Sequence, residues 1–152
     1  MCVLHVSSKT DSLRGIVNNS KMPVNQSHEK GDKKTPAKNS PLFEDFSFSC
    51  KVSDKEWDDL PGQIEDTIAF LTKHEEELTG LLSSHGIDCI WLDYPYYCRH
   101  SRTIIYQCDF LPPKLLLQAG KLNIGIKLSL YPKPKKGLLD KFIKNSGLLQ
   151  KP

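Results

Sequence analysis

A stripe of apolar residues between residues 59 and 86 constrains the fold more than any other feature of the sequence. The stripe repeats at intervals of three and four residues, with one gap at Glu75, through Ile64, Ile68, Leu71, Leu78 and Leu82. This spacing is typical of a helix that buries one face against a core. Asp59 and Pro61 are start signals for the helix, and Gly86 is a stop signal. We therefore predict one long amphipathic helix over this region.

Residues 2–6 are predicted to form a short buried strand. Four further stretches, residues 45–52, 87–93, 103–109 and 124–130, have one apolar side in the manner of half-buried strands. Strands and helices mixed in this order predict an α+β fold, with a single, mainly antiparallel sheet of about five strands and two or three helices packed on one face. The other face of the sheet is expected to be polar and in contact with water.

The segments between the strands are predicted from turn and capping residues. Thr10 is a candidate N-cap for a short first helix, and Pro112-Pro113 begins another that Gly120 ends. Residues 21–41 are polar and without periodicity, so we expect a long loop there. Residues 94–102 are interpreted as the hairpin loop between two strands.

The C-terminal segment differs in composition from the rest. Residues 133–152 hold six lysines and one aspartate, a net charge of +5, whereas the whole chain of 152 residues carries +3. An amphipathic pattern runs through Leu138, Leu139, Phe142 and Ile143. We predict one α+β domain over residues 1–132, followed by a basic amphipathic tail.

Cysteine usage and hydropathy indicate the compartment. The five cysteines are odd in number and form no C-x-x-C pair, which is not the pattern of a disulfide-bonded secreted domain. Cys50, Cys89 and Cys108 stand at alternating positions of predicted strands, where they would act as small core residues. No apolar run approaches the ~20 residues of a membrane span. We expect a cytoplasmic protein with free thiols.

Motifs for catalysis, cofactors or metals are not evident. The sequence has no phosphate-binding loop, no dinucleotide fingerprint and no G-x-S-x-G turn. Cys98 and His100 lie close together, but the second ligand pair of a zinc site is missing. Five histidines and five cysteines produce chance pairings in any fold. We therefore assign no catalytic, cofactor or metal residues.

Charge and aromatic residues mark two candidate surfaces for a protein partner. Residues 54–77 hold nine acidic residues against two lysines, a net charge of −7. The acidic candidates are Asp58, Asp59, Glu65, Asp66, Glu75, Glu76 and Glu77. The predicted hairpin adds Tyr96, Tyr97, Arg99, His100 and Arg102. An acidic surface favours encounter with a basic partner, although such residues also serve as a solvated helix face.

Four segments resemble a group of small bacterial proteins of unknown function. They are the opening MCVLHVSSKT, WDDLPGQ at 57–63, FLPPKLL at 110–116 and NIGIKLSLYP at 123–132. The resemblance covers residues 1–132 and implies a bacterial, cytosolic, single-domain α+β protein without assigned site residues. Domains of this kind occur among immunity proteins that neutralise secreted toxins.

The leading hypothesis from the sequence is therefore a cytosolic protein-binding protein, an immunity protein that meets a basic toxin through its acidic helix. The alternative is a small-ligand or nucleic-acid binding domain that uses the polar sheet face and the aromatic, basic hairpin. An enzyme is the third hypothesis, because missing motifs do not exclude catalysis.

Overall fold

Five strands and four helices are present in the computed structural model, which describes residues 1–83, 86–99 and 105–133. In chain order they are β1 Cys2–Ser8, α1 Arg14–Asn19, β2 Val24–His28, β3 Phe46–Ser53, α2 Leu60–Lys73, α3 Glu75–Leu82, β4 Cys89–Tyr97, α4 Pro113–Lys121 and β5 Gly125–Tyr131. No helix in these ranges is both long enough and apolar enough to cross a membrane.

The strands form one mixed sheet in the order β2-β3-β1-β4-β5. Every neighbouring pair is antiparallel except β4 and β5, which run parallel. A parallel pair needs a crossover connection, and α4 lies on the connection between these two strands. The predicted α+β fold with a single, mainly antiparallel five-stranded sheet is confirmed.

The core lies between the sheet and the long helical region. Leu4 in the central strand pairs with Cys50 on one side and Leu92 on the other, and all three side chains are fully buried. Leu71 of α2 and Leu78 of α3 are buried in the same cluster. The apolar stripe therefore packs as its periodicity predicts.

The long helical region is two helices and not the single helix that we predicted. α2 ends at Lys73, and His74 adopts φ −109° and ψ 17° before α3 begins. The His74 side chain is 7% exposed and its ring packs 4.7 Å from the ring of Phe70. The gap in the apolar stripe at Glu75 coincides with this break. The predicted start at Asp59 is confirmed, since its carboxylate accepts a hydrogen bond of 2.9 Å from the backbone of Gly62.

The prediction of a loop over residues 21–41 is wrong for residues 24–28. β2 lies there and pairs with β3 at the edge of the sheet, with its three central residues exposed. An edge strand whose residues are mostly exposed carries no alternating pattern, so its sequence is that of a polar loop. α1 also begins at Arg14, four residues after the predicted cap Thr10.

The predicted hairpin around residues 94–102 and the strand at 103–109 are also corrected. β4 continues through Tyr97, and residues 105–109 form no regular element. The buried residues of β4 are Ile90, Leu92, Tyr94, Pro95 and Tyr96, and the alternation through Ile90, Leu92 and Tyr94 is opposite in parity to the predicted face with Cys89. Cys89 and Cys108 are exposed as a result, whereas Cys50 is buried as expected. Residues 103 and 104 lie outside the described ranges.

Candidate functional site

A groove of about 430 Å³ runs between the first half of α2 and residues 108–112. This volume lies within the range of ordinary ligand and peptide pockets. The side of α2 contributes Asp58, Leu60, Pro61, Ile64, Glu65 and Ile68, and the opposite side contributes Arg99, Cys108, Asp109, Phe110 and Pro112. The floor is mainly apolar and the charged groups stand at the margin, so the groove suits an amphipathic occupant.

Residues 105–112 are held in place by hydrogen bonds that converge on Asp109. Its Oδ1 accepts a charged hydrogen bond of 2.6 Å from the Arg99 guanidinium. Its Oδ2 accepts from the Tyr96 hydroxyl at 3.1 Å and from the Gln107 amide at 2.7 Å. Because Tyr96 belongs to β4, these bonds attach the irregular segment to the sheet. One side of the groove is therefore rigidly positioned without regular secondary structure.

The same bonds set the ionisation of Asp109. Desolvation by burial raises the pKa of its carboxyl and is the largest single effect. The hydrogen bonds from Gln107, Arg99 and Tyr96 lower the pKa, and together they outweigh burial, so the pKa lies below its ordinary value of 3.8. Asp109 is thus a structural anion at neutral pH, already satisfied by its neighbours.

Two carboxylates along α2 carry the unpaired negative charge of the groove. Asp58 and Glu65 are both exposed; Asp58 immediately precedes the cap of α2, and Glu65 lies in the second turn of the helix. Neither side chain has a hydrogen bond or ion pair with another residue in the described part of the chain. Their charge is therefore available to a cation that enters the groove.

Large apolar side chains stand exposed along the segment that forms the opposite side. Ile105 is 81% exposed, Tyr106 72% and Phe110 75%. Single exposed apolar residues are common, but three within six residues, of which Phe110 lines the groove, are typical of an interaction surface. We refer to Ile105, Tyr106 and Phe110 together as the apolar margin.

The other predicted acidic residues are mostly occupied by contacts within the chain. Asp59 caps α2, and Asp66 accepts a hydrogen bond of 2.6 Å from Ser53. Glu75 pairs with Lys121 at 2.9 Å, and Glu77 accepts 2.7 Å from the Ser20 hydroxyl. The acidic segment is therefore not one continuous docking face.

Glu76 is the exception among these residues, because it is exposed on α3. It lines a separate depression with Lys21, Lys73 and His74, and it does not line the groove. Glu76 therefore serves as an exposed charge that lies outside the groove.

The aromatic and basic residues of the predicted hairpin do not form one surface. Tyr96 is 3% exposed in β4, and Tyr97 packs against Trp57 with ring centroids 5.4 Å apart. Arg99 reaches the groove through its pairing with Asp109. His100 and Arg102 lie outside the described residues.

Sequence reasoning missed the residues on the far side of the groove. Asp109 is the last residue of the strand predicted over residues 103–109, and Phe110 follows it. That prediction gives no reason for the two residues to line one site. Phe110-Leu111-Pro112-Pro113 is the one local signal, since two prolines after apolar residues indicate an extended approach to a helix.

The sheet face away from the helices offers a second, flatter surface. The rings of His5 and Trp91 stack there with centroids 5.0 Å apart, and burial lowers the pKa of His5. Ser129 donates a hydrogen bond of 2.5 Å to Asp93 beside them. In the described ranges, no group of three or more His, Cys, Asp or Glu side chains is arranged to hold a metal ion.

Comparison with known proteins adds no family to this description. The chain matches no protein-family model, no curated protein and no solved structure. The geometry and chemistry of the groove are therefore the basis on which a function can be inferred.

Proposed function

We propose that the protein is a protein-binding protein that receives a basic, amphipathic segment of its partner in the groove beside α2. The observation that carries this proposal is the exposed ring of Phe110, which lines the groove together with the carboxylates of Asp58 and Glu65. Apolar side chains of the partner would cover the margin, and a lysine or arginine would meet each carboxylate.

The exposed carboxylates and the aromatic side chains should contribute to binding in different ways. Exposed carboxylates accelerate encounter with a basic partner and reject acidic ones, while buried aromatic contacts slow dissociation. Phe110 is the best anchor, because it lines the groove and also has most of its surface uncovered. Arg99 is neutralised by Asp109 and so does not repel a basic segment.

Within this proposal the protein is a bacterial, cytoplasmic immunity protein whose partner is a toxin. Toxins that cleave nucleic acids need basic surfaces to bind phosphate, and such surfaces are complementary to an acidic, apolar groove. The support is this complementarity together with the resemblance of residues 1–132 to small bacterial proteins.

The test is selection of peptides from a random library on the immobilised protein, followed by affinity measurement of the selected peptides. The wild type should enrich peptides that combine Lys or Arg with Leu, Phe or Trp. The double variant Asp58→Lys/Glu65→Lys should lose at least tenfold in affinity, as expected for two repelled charge contacts.

Glu76→Lys is the matched control, because it reverses an exposed charge on the next helix without touching the groove. It should retain wild-type affinity. The proposal fails if the enriched peptides carry no basic residues, or if the control weakens binding as much as the double variant. A protein lacking residues 133–152 should select the same peptides, which excludes a contribution from the basic tail.

One observation favours the alternative of a ligand- or nucleic-acid-binding sheet face, namely the stacked rings of His5 and Trp91 beside Lys127. An exposed ring next to a cation can accept a nucleobase. Quenching of Trp91 fluorescence by a single-stranded oligonucleotide, abolished by Lys127→Glu, would support that function.

A further inference from the structure

Three side chains near the β2 edge of the sheet form a continuous chain of hydrogen bonds. Ser47 Oγ lies 3.1 Å from Nδ1 of His28, and Nε2 of the same ring lies 3.1 Å from Oδ1 of Asp45. The antiparallel register pairs His28 directly with Ser47, and Asp45 immediately precedes β3. Pairing of two strands thus brings together residues that are 17 and 19 positions apart.

The imidazole is fixed in orientation as well as in position. The ring of Phe43 stacks on His28 with centroids 3.5 Å apart and planes inclined by 13°. With the proton on Nε2, the ring donates to Asp45 and leaves the lone pair of Nδ1 for the Ser47 hydroxyl. This order of carboxylate, imidazole and hydroxyl is that of hydrolytic triads, with the two ring nitrogens exchanged relative to the Ser-His-Asp proteases.

A pocket of about 230 Å³ opens beside the hydroxyl and the imidazole. Leu13 and Val17 form its apolar side, and both belong to the region of α1. Arg14 and Asn18 also line it and are side chains that can donate hydrogen bonds. The volume suits a short acyl chain, and Glu29 and Asp32, which also line the pocket, disfavour an anionic substrate.

We propose that Ser47, His28 and Asp45 form a catalytic triad that hydrolyses small, uncharged carboxylic esters. Ser47 Oγ attacks the ester carbonyl carbon while its proton passes to Nδ1 of His28. The bond between this carbon and the alcohol oxygen then breaks, and the alcohol leaves with that proton. Water repeats the sequence on the acyl-serine, which releases the carboxylic acid and restores the serine hydroxyl.

The remaining groups have definite tasks in this reaction. Asp45 accepts the Nε2 hydrogen bond throughout and stabilises the imidazolium that forms when His28 takes the proton. Arg14 and Asn18 are the donors available to the oxyanion. None of these residues lines the groove beside α2, so this activity and partner binding can be tested separately.

A purely structural role for the same hydrogen bonds makes a different prediction. They would then hold β2 on the edge of the sheet, and their loss would lower the free energy of unfolding without any covalent chemistry at Ser47. The decisive readout is therefore covalent modification of the folded protein.

The experiment is labelling with an alkyl fluorophosphonate, which phosphonylates an activated serine and releases fluoride. The site is mapped by peptide mass spectrometry, alongside hydrolysis of p-nitrophenyl acetate. Ser47 should be labelled in the wild type, and Ser47→Ala should abolish both label and hydrolysis. His28→Gln should lower both rates by about a hundredfold or more, since a general base contributes a factor of that order.

Ser49→Ala is the matched control, because Ser49 lies on the same strand and its hydroxyl bonds to Asn25 at 3.1 Å outside the triad. It should keep the wild-type label and rate. Circular dichroism confirms that each variant is folded. An unlabelled Ser47 in the folded wild type overturns the proposal, as does hydrolysis that Ser47→Ala leaves unchanged.

Discussion

The five cysteines differ in environment, and this difference predicts their reactivity. Cys2 and Cys50 are fully buried, and burial raises the pKa of each thiol to about 12. The thiolate is the reactive form, so both should resist thiol reagents in the native state. Cys89 and Cys108 are exposed and Cys98 is partly exposed.

We expect Ellman's reagent to modify Cys89 and Cys108 rapidly and Cys98 more slowly, while Cys2 and Cys50 react only after denaturation. Mass spectrometry of partly modified protein identifies the sites. Rapid native modification of Cys50 would show that β3 is more open than the sheet order implies.

The ionisation of Asp109 should make the stability of the protein depend on pH. Its pKa in the folded protein is below the ordinary 3.8, so its ionised form stabilises the fold above that pH. This contribution is lost as the pH falls through the lower folded value. Asp109→Asn should therefore destabilise the protein at neutral pH, and the difference from wild type should diminish in acid.

Urea unfolding of both proteins across the acid range gives their unfolding free energies and so tests this prediction. Glu76→Gln is the control, because its exposed carboxylate lies outside the groove. A constant difference between wild type and Asp109→Asn at every pH would contradict the proposed role of the ionised carboxylate.

At the scale of elements, the packing of α2 on the sheet should dominate stability. Leu71 is 1% exposed and belongs to the central cluster. Leu71→Ala should cost about 2–5 kcal/mol of unfolding free energy, through lost apolar contact and the cavity left behind. The measurement is the midpoint of denaturant unfolding, which reports stability when the dependence of the unfolding free energy on denaturant concentration is unchanged.

Leu117→Ala provides the comparison, since Leu117 is 73% exposed on α4. It should change stability by no more than about 0.5 kcal/mol. Equal effects of the two substitutions would mean that the apolar stripe of α2 is not the core-facing side.

At the level of the whole molecule, exposed charges and apolar contacts should affect different rate constants of partner binding. The charges should affect association, and the apolar contacts should affect dissociation. Exposed carboxylates are screened over ~8–10 Å at ordinary ionic strength, so the association rate should fall about tenfold or more as salt is raised. Phe110→Ala should instead raise the dissociation rate. Surface plasmon resonance with a selected basic peptide resolves the two rates, and a salt-independent association rate would argue against steering by Asp58 and Glu65.

The basic tail should be dispensable for the stability of the domain. Residues 134–152 lie outside the described ranges. In the sequence, the apolar pattern through Leu138, Leu139, Phe142 and Ile143 is short, and a helix of fewer than ~12 residues is marginal in water by itself. Removal of residues 133–152 should change the melting temperature very little. A large drop, or precipitation of the truncated protein, would show that this segment packs on the domain.

Features that depend on local periodicity can be predicted from the order of the amino acids alone. The stripe through Leu71 and Leu78, the alternation from Phe46 to Val52 and the cap at Asp59 each follow from neighbours within one or two turns or strands. Those patterns were sufficient for the α+β class and most of the core. They also located the acidic half of the groove, through Asp58 and Glu65.

Contacts between residues that are distant in the chain depend instead on how the strands and helices pack together. β2 gains its strand conformation from pairing with β3. Pairing with β1 and β5 decides which side chains of β4 face the core, so neither property can be predicted from the segment's own sequence. Phe110 lines the groove opposite α2, in a segment that is attached to the sheet by the bonds of Asp109 to Tyr96 and Arg99. His28 meets Ser47 through strand register, and contacts between distant residues of this kind leave no periodic signal in a sequence.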